Sequence, residues 1–137
     1  MSEKQRLNRK EIEELASNAL IASGALETSA KSLAKAVASA EMDGIKSHGL
    51  VYVPIYCEHL QCGKVVGSAV PKVERPAKGA VVVDACSGFA HPAIDAGFSE
   101  LVPAAKELGC AGMSIRNSYN CGVLGLSLIH ISEPTRR

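Results

Sequence analysis

Residues 79–85 read GAVVVDA, three consecutive valines held between small residues and an aspartate. A run this short, β-branched and without polar alternation reads as a strand buried on both faces. The next thirty residues narrow the fold further. Ile94, Phe98, Leu101, Ala105 and Leu108 recur at helical intervals, Gly109 stops the run, and MSIRNS then reads as a second short strand. Strand, helix, strand in this order predicts a right-handed βαβ unit. Pro103 removes a backbone donor inside the helix and predicts a kink or a break there. Before the valines, VPKVERP is another short β-branched run, punctuated by Pro71, Pro76 and Gly79.

Ahead of this unit the chain is helical and rich in small residues. Asn8 and Glu11 have the spacing of a capping box, in which each side chain satisfies an amide that the first helical turn leaves open. Ile12, Leu15, Ala16, Ala19 and Leu20 then share a face, and Gly24 can take the left-handed conformation that ends a helix. Thr28 opens a second helix with Ala30, Leu33, Ala34, Val37 and Glu41 along one side and Gly44 as its stop. The two make an αα-hairpin. A third helix starts between Gly49 and Pro54, carries Leu50, Val53, Tyr56, Cys57 and Leu60 inward, and closes at Gly63. The expected class is α/β: a helical N-terminal layer followed by the first βαβ unit, in one domain.

Composition removes several functions. Lys and Arg number 15 against 14 Asp and Glu, so no electrostatic footprint for nucleic acid exists. The first two helices are no DNA reader either, because the second offers only Lys31 and Lys35 as cations. Tryptophan is absent and aromatics are 4 %, which leaves little for base or sugar stacking. No apolar run nears the roughly 18 residues of a membrane span, and MSEKQRLNRKEIEE is too polar for a secretory signal. The chain is read as cytoplasmic. Its five cysteines, Cys57, Cys62, Cys86, Cys110 and Cys121, are odd in number and form no C-x-x-C, so they are read as free buried thiols rather than a disulfide framework or a zinc site.

Two segments can carry chemistry. Ser47-His48-Gly49 lies between a helix stop and the next helix start. Histidine trades protons near neutral pH, the adjacent serine can donate a hydrogen bond, and a helix N-terminus near Gly49 favours a carboxylate. The alternative is an N-cap serine beside a surface histidine. Asn117-Ser118-Tyr119-Asn120-Cys121-Gly122 comes after the second strand, where loops of α/β proteins carry function. Asn120 can orient a substrate but cannot exchange protons near neutrality. His59 and His91 have no ligand-spaced companions and read as ordinary surface or helix-end residues, and Cys121 has no local base to activate it. Asp84 can meet a ribose or substrate hydroxyl, although no G-x-G-x-x-G accompanies it.

Taken together, D-G-I-K-S-H-G-L-x-x-V-P-x-Y (Asp43 to Tyr56), L-x-x-G-K-V (Leu60 to Val65), V-D-A-x-x-G-F-A (Val83 to Ala90) and N-S-Y-N-C-G-V-L-G (Asn117 to Gly125) resemble the type-2 malate/L-lactate dehydrogenase family. The resemblance runs from about Leu7 to Gly125 and covers about the first third of such an enzyme. It implies a non-Rossmann fold, usually a homodimer, that uses NAD or NADP to move a hydride at C2 of a small 2-hydroxy or 2-oxo acid. The family's serine-histidine pair falls on Ser47 and His48. Many members have an arginine four positions after that histidine for the substrate carboxylate, where this chain has Tyr52. Many also have a proton-exchanging histidine where this chain has Asn120. The resemblance therefore implies His48, Ser47 and Asn120 as catalytic residues, and Ser47, Gly49, Tyr52 and Asn117 as substrate contacts. Cofactor-binding segments are expected mostly beyond Gly125, so the chain alone is expected to be inactive. Two other classes stay open: a small helical interaction module with no catalysis, and a metal or redox protein using the cysteines.

The C-terminal residues LSLIHISEPTR (Leu126 to Arg136) resemble the conceptual translation of a transposase-type sequencing-library adapter. Residues 1–125 are accordingly expected to be the dehydrogenase segment and residues 126–137 a foreign tail without functional weight. The genomic sequence downstream of the codon for Gly125 tests this.

Overall fold

The computed structural model describes residues 6–121, so the tail lies outside the described residues. Four helices, α1 (Arg9–Ala22), α2 (Glu27–Met42), α3 (Val53–Gln61) and α4 (Ala90–Leu108), accompany three strands, β1 (Lys72–Ala77), β2 (Ala80–Asp84) and β3 (Gly112–Arg116). Two short 3-10 turns, Lys46–His48 and Leu50–Tyr52, join α2 to α3.

The capping box forms as expected: Glu11 N donates to Asn8 Oδ1 and Asn8 N to Glu11 Oε2. The chain leaves α1 and α2 through Gly24 and Gly44, at φ of 102° and 74°, values that a side chain would strain. α2 begins at Glu27, just before the expected Thr28, and its N-cap Leu26 has no capping side chain. Instead Leu26 N donates to Gly67 O, which ties the helix start to the loop after α3. Ile12, Ala16 and Leu20 of α1 pack against Ala30, Leu33, Ala34 and Val37 of α2, with Tyr56, Leu60, Val65 and Phe89 closing the cluster. Alanine at the contact lets the helices approach closely. Leu15, expected on this face, is instead 53 % exposed.

The βαβ unit is present. β2 and β3 pair in parallel, from Ala80 opposite Gly112 to Asp84 opposite Arg116, and α4 connects them. β1 adds an antiparallel strand on the other side of β2, so VPKVERP becomes an edge strand, where Pro76 is tolerated. Val81 and Val83 are buried, but Val82 between them is only half-buried. The valine run is therefore covered by α4 on one face rather than buried on both.

The buried face of α4 also differs from expectation. Phe98 and Leu108 are each 44 % exposed, whereas Ala90, Ala93, Gly97 and Ala104 point inward. Small residues win because the helix lies close on the sheet: a Cβ on Gly97 would overlap Met113 Sδ and Val83 Cγ2. The helix runs unbroken through Pro103. Val81, Val83, Ala85 and Ala93, with Leu101, Met113 and Ile115 against them, form a second cluster. A hydrogen bond from Ser32 Oγ to Asp95 ties α2 to α4 beside it.

His91 is more than a helix-end surface residue. It is half-buried near the start of α4, and its Nδ1 is enclosed without a hydrogen-bond partner. Burial pushes its pKa down, and the Asp95 carboxylate opposes this. The thiols are free, but none is fully buried: Cys57, Cys86 and Cys121 are half-buried, and Cys62 and Cys110 are exposed. No group of three metal-capable side chains occurs among the described residues, and no helix there is long and apolar enough to cross a membrane.

Candidate functional site

The Ser47-His48-Gly49 segment is set by the last turn of α2. Glu41, carried inward on the apolar side of that helix, accepts a 2.7 Å hydrogen bond from Leu50 N. Gly49 is what permits the approach, since a Cβ there would overlap the Glu41 carboxylate. Gly49 N in turn donates to Lys46 O at 3.2 Å. The amides expected to meet a substrate carboxylate near Gly49 are therefore already bonded within the chain, and α3 proper starts only at Val53. Glu41 was legible as an acidic residue on an apolar helix face; its partner was not.

His48 sits half-buried at the end of the first 3-10 turn. Ser47 Oγ lies 3.0 Å from its Nδ1. The Tyr52 ring stacks on the imidazole at 6.2 Å with 13° between the planes. Tyr52 then makes an edge contact with Tyr56 at 4.8 Å, and Tyr56 meets Phe89 at 5.7 Å and Tyr119 at 6.2 Å. Tyr119 belongs to the loop after β3, so this chain of rings joins the two segments that the sequence singled out. Burial pushes the Tyr56 phenol up to about 12, and that of Tyr119 is raised by burial and by Tyr52.

His59, read from sequence as ordinary, belongs to the same assembly. Its Nδ1 is hydrogen-bonded to the Tyr119 hydroxyl, and the rings meet edge-on at 5.5 Å. Lys64 Nζ lies 6.0 Å from the centre of the Tyr119 ring. The sequence signal was a histidine three residues after Tyr56 on one helix, but its partner was sixty positions away.

The loop itself is anchored by Asp84 at the end of β2. Asn117 Nδ2 donates to both Asp84 oxygens at 3.2 and 3.0 Å, Cys86 N donates to Oδ1 at 2.8 Å, and Arg116 Nε to Oδ2 at 3.1 Å. The Cys86 amide, the Asn117 amide and the Arg116 guanidinium together hold the Asp84 carboxyl below its ordinary value. Asn117, expected as a substrate contact, spends its amide on this anchor. Cys86, Ser87 and Asn117 all take positive φ, of 52°, 62° and 51°. Two backbone bonds, Ser87 N to Asn117 O and Tyr119 N to Gly88 O, fix the loop that carries exposed Asn120.

Helical layer, three-stranded sheet and the joined S-H-G and N-S-Y-N-C-G segments together define a malate/L-lactate dehydrogenase fold. The malate/L-lactate dehydrogenase family matches residues 7–133, and the chain belongs to it. It is 42 % identical over 117 residues to (2R)-3-sulfolactate dehydrogenase (NADP(+)) of Chromohalobacter salexigens, covering 85 % of this chain and 34 % of that protein. Identity is 45 % over 92 residues with the Delta(1)-pyrroline-2-carboxylate/Delta(1)-piperideine-2-carboxylate reductase of Pseudomonas syringae pv. tomato, 67 % of this chain and 27 % of that one. The crystal structure of delta1-piperideine-2-carboxylate reductase from the same organism superposes with a TM-score of 0.86 at 37 % identity, covering 88 % of this chain and 36 % of that one. Malate dehydrogenase from Pyrococcus horikoshii shares the fold, with a TM-score of 0.79 at 21 % identity, covering 98 % of this chain and 40 % of that one. The chain thus spans about a third of the length of its relatives.

The described residues do not by themselves fit a nicotinamide nucleotide. The acidic group at the end of β2, the natural partner for a ribose, is committed to Cys86, Arg116 and Asn117. No glycine-rich phosphate turn precedes α4.

Proposed function

We propose that the chain is part of an NAD(P)-dependent oxidoreductase acting at C2 of a small 2-hydroxy or 2-oxo acid, or of the cyclic imino acids that its relatives' names describe. The nucleotide is assigned to other parts of the enzyme, where it supplies or accepts the hydride. In this segment His48 handles the proton on the C2 oxygen or nitrogen. Ser47 holds Nδ1 of the ring, which leaves Nε2 as the atom that gives or takes that proton. Asn120 orients the substrate by amide donation, and Tyr52 offers it a hydroxyl. Gly49 and Asn117 act indirectly: one admits Glu41 to the turn, the other pins the loop. A cytoplasmic homodimer is the assembly we infer, and light scattering of the enzyme tests its size.

The observation that carries this reading is the ring contact between the Ser47-His48 turn and the Tyr119 loop, through Tyr52 and Tyr56. In the enzyme that contains this segment, His48→Ala is expected to lower turnover about 10²–10⁴-fold. Near-normal turnover would remove His48 from the mechanism. Absence of nicotinamide-coupled reduction of any 2-oxo or cyclic imino acid by the unmodified enzyme would favour a non-catalytic helical interaction module.

A further inference from the structure

The two segments that carry the proposed chemistry are held by different parts of the fold. His48 belongs to the helical layer, in a turn fixed by the hydrogen bond from Leu50 N to Glu41 near the end of α2. Asn120 belongs to a loop fixed at the end of the sheet: Asn117 Nδ2 donates to Asp84, Ser87 N to Asn117 O, and Tyr119 N to Gly88 O. Tyr119 is the neighbour of Asn120 in sequence, and its side chain reaches across to α3. There its hydroxyl is hydrogen-bonded to His59 Nδ1, and its ring meets those of His59 and Tyr56 edge-on. Ring edges tolerate a range of separations, whereas a hydrogen bond weakens steeply with a poor angle or length. The bond forms with either imidazole tautomer, because a phenol both donates and accepts.

We propose that His59 and Tyr119 are positioning residues, whose hydrogen bond sets where Asn120 stands relative to His48. The proposal rests on the dehydrogenase reading and adds to it a pair that takes no part in hydride or proton transfer. α3 follows the turn that holds His48 directly, through the 3-10 turn Leu50–Tyr52. A loop side chain pinned to α3 therefore fixes the loop in the frame of His48. Tyr119 is half-buried among Tyr56 and Phe89, so its ring stays packed when the hydroxyl is removed, and only the directional contact is lost. The net worth of one hydrogen bond corresponds to a population change of about 2- to 10-fold, and without it the loop occupies the placed arrangement that much less. A reaction that needs Asn120 in place slows by the same factor.

Tyr119→Phe and His59→Leu remove the bond from either side while keeping most of the packed volume. They are made singly and together, with and without Asn120→Ala, in the enzyme that contains this segment. Turnover of pyruvate and Δ1-piperideine-2-carboxylate with NADPH or NADH is measured, together with amide hydrogen exchange of residues 118–121. Either single variant is expected to lower kcat about 2- to 10-fold with KM nearly unchanged, and to speed exchange in the loop while α1 and α2 stay as protected as before. The pair is expected to lose no more than one of its members, and neither is expected to lower kcat further once Asn120 is alanine. Unchanged kcat, additive losses in the pair, or equal losses with and without Asn120 overturn the proposal while leaving the dehydrogenase reading in place. If the unmodified enzyme reduces neither acid, the functional reading fails. Loop exchange then decides the positioning pair alone: faster exchange in both variants supports it, and unchanged exchange overturns it.

Discussion

Gly49→Ala offers a direct check on how the histidine turn is built. The new methyl would occupy the space of the Glu41 carboxylate and of the Cγ behind it. Glu41 ends a flexible side chain, so it can swing away, but it then abandons the 2.7 Å hydrogen bond from Leu50 N. A hydrogen bond to a charged acceptor is worth about 1.5–3 kcal/mol, and that is the expected loss of stability. Glu41→Ala removes the same bond and should cost about the same. The double variant should then cost no more than either single one, because without Glu41 the methyl is relieved of the three atoms nearest to it; the coupling is about 1.5–3 kcal/mol. Urea unfolding midpoints of the enzyme containing this segment, at constant m-value, provide the measurement. Additive losses would refute the reasoning, since they would mean that Gly49 and Glu41 act through different contacts.

The sheet supplies further expected outcomes. Asp84 has a folded-state pKa lowered first by the Cys86 amide, then by Asn117 and Arg116. A depressed carboxylate contributes stability above its unfolded pKa and loses it as pH falls through the folded value. Asp84→Asn should therefore flatten the acid limb of the stability curve, read from urea midpoints at a series of pH values; an unchanged limb would count against the anchor. Gly97→Ala should destabilise by about 1–3 kcal/mol through overpacking against Met113 and Val83. A loss under about 0.5 kcal/mol, the range of a neutral surface change, would show that Met113 gives way freely.

The local elements were largely written in the residue order. Capping at Asn8 and Glu11, the stops at Gly24 and Gly44, and the strand-helix-strand order of residues 80–116 each depend on side chains within a few positions of one another. Such signals survive in a linear reading because the competing conformations are also local. The inward face of α4 was misread for the opposite reason: periodicity marks every large apolar residue, whereas the distance to the sheet selects the small ones. Phe98 stands outside because Gly97 has to be inside.

The candidate site divides in the same way. Sequence alone determined that Ser47 and His48 would stand together on a turn between helices, and that Asn120 would lie on a loop after a strand. It also carried the family, through four short motifs in order. Only the tertiary structure decided that Glu41 would take the Leu50 amide, that Asn117 would be spent on Asp84, and that His59 would meet Tyr119. Each of these pairs joins residues on different elements. Hydrogen-bonding side chains are not specific for one partner, so the pairing is set by which elements the packed core brings within reach.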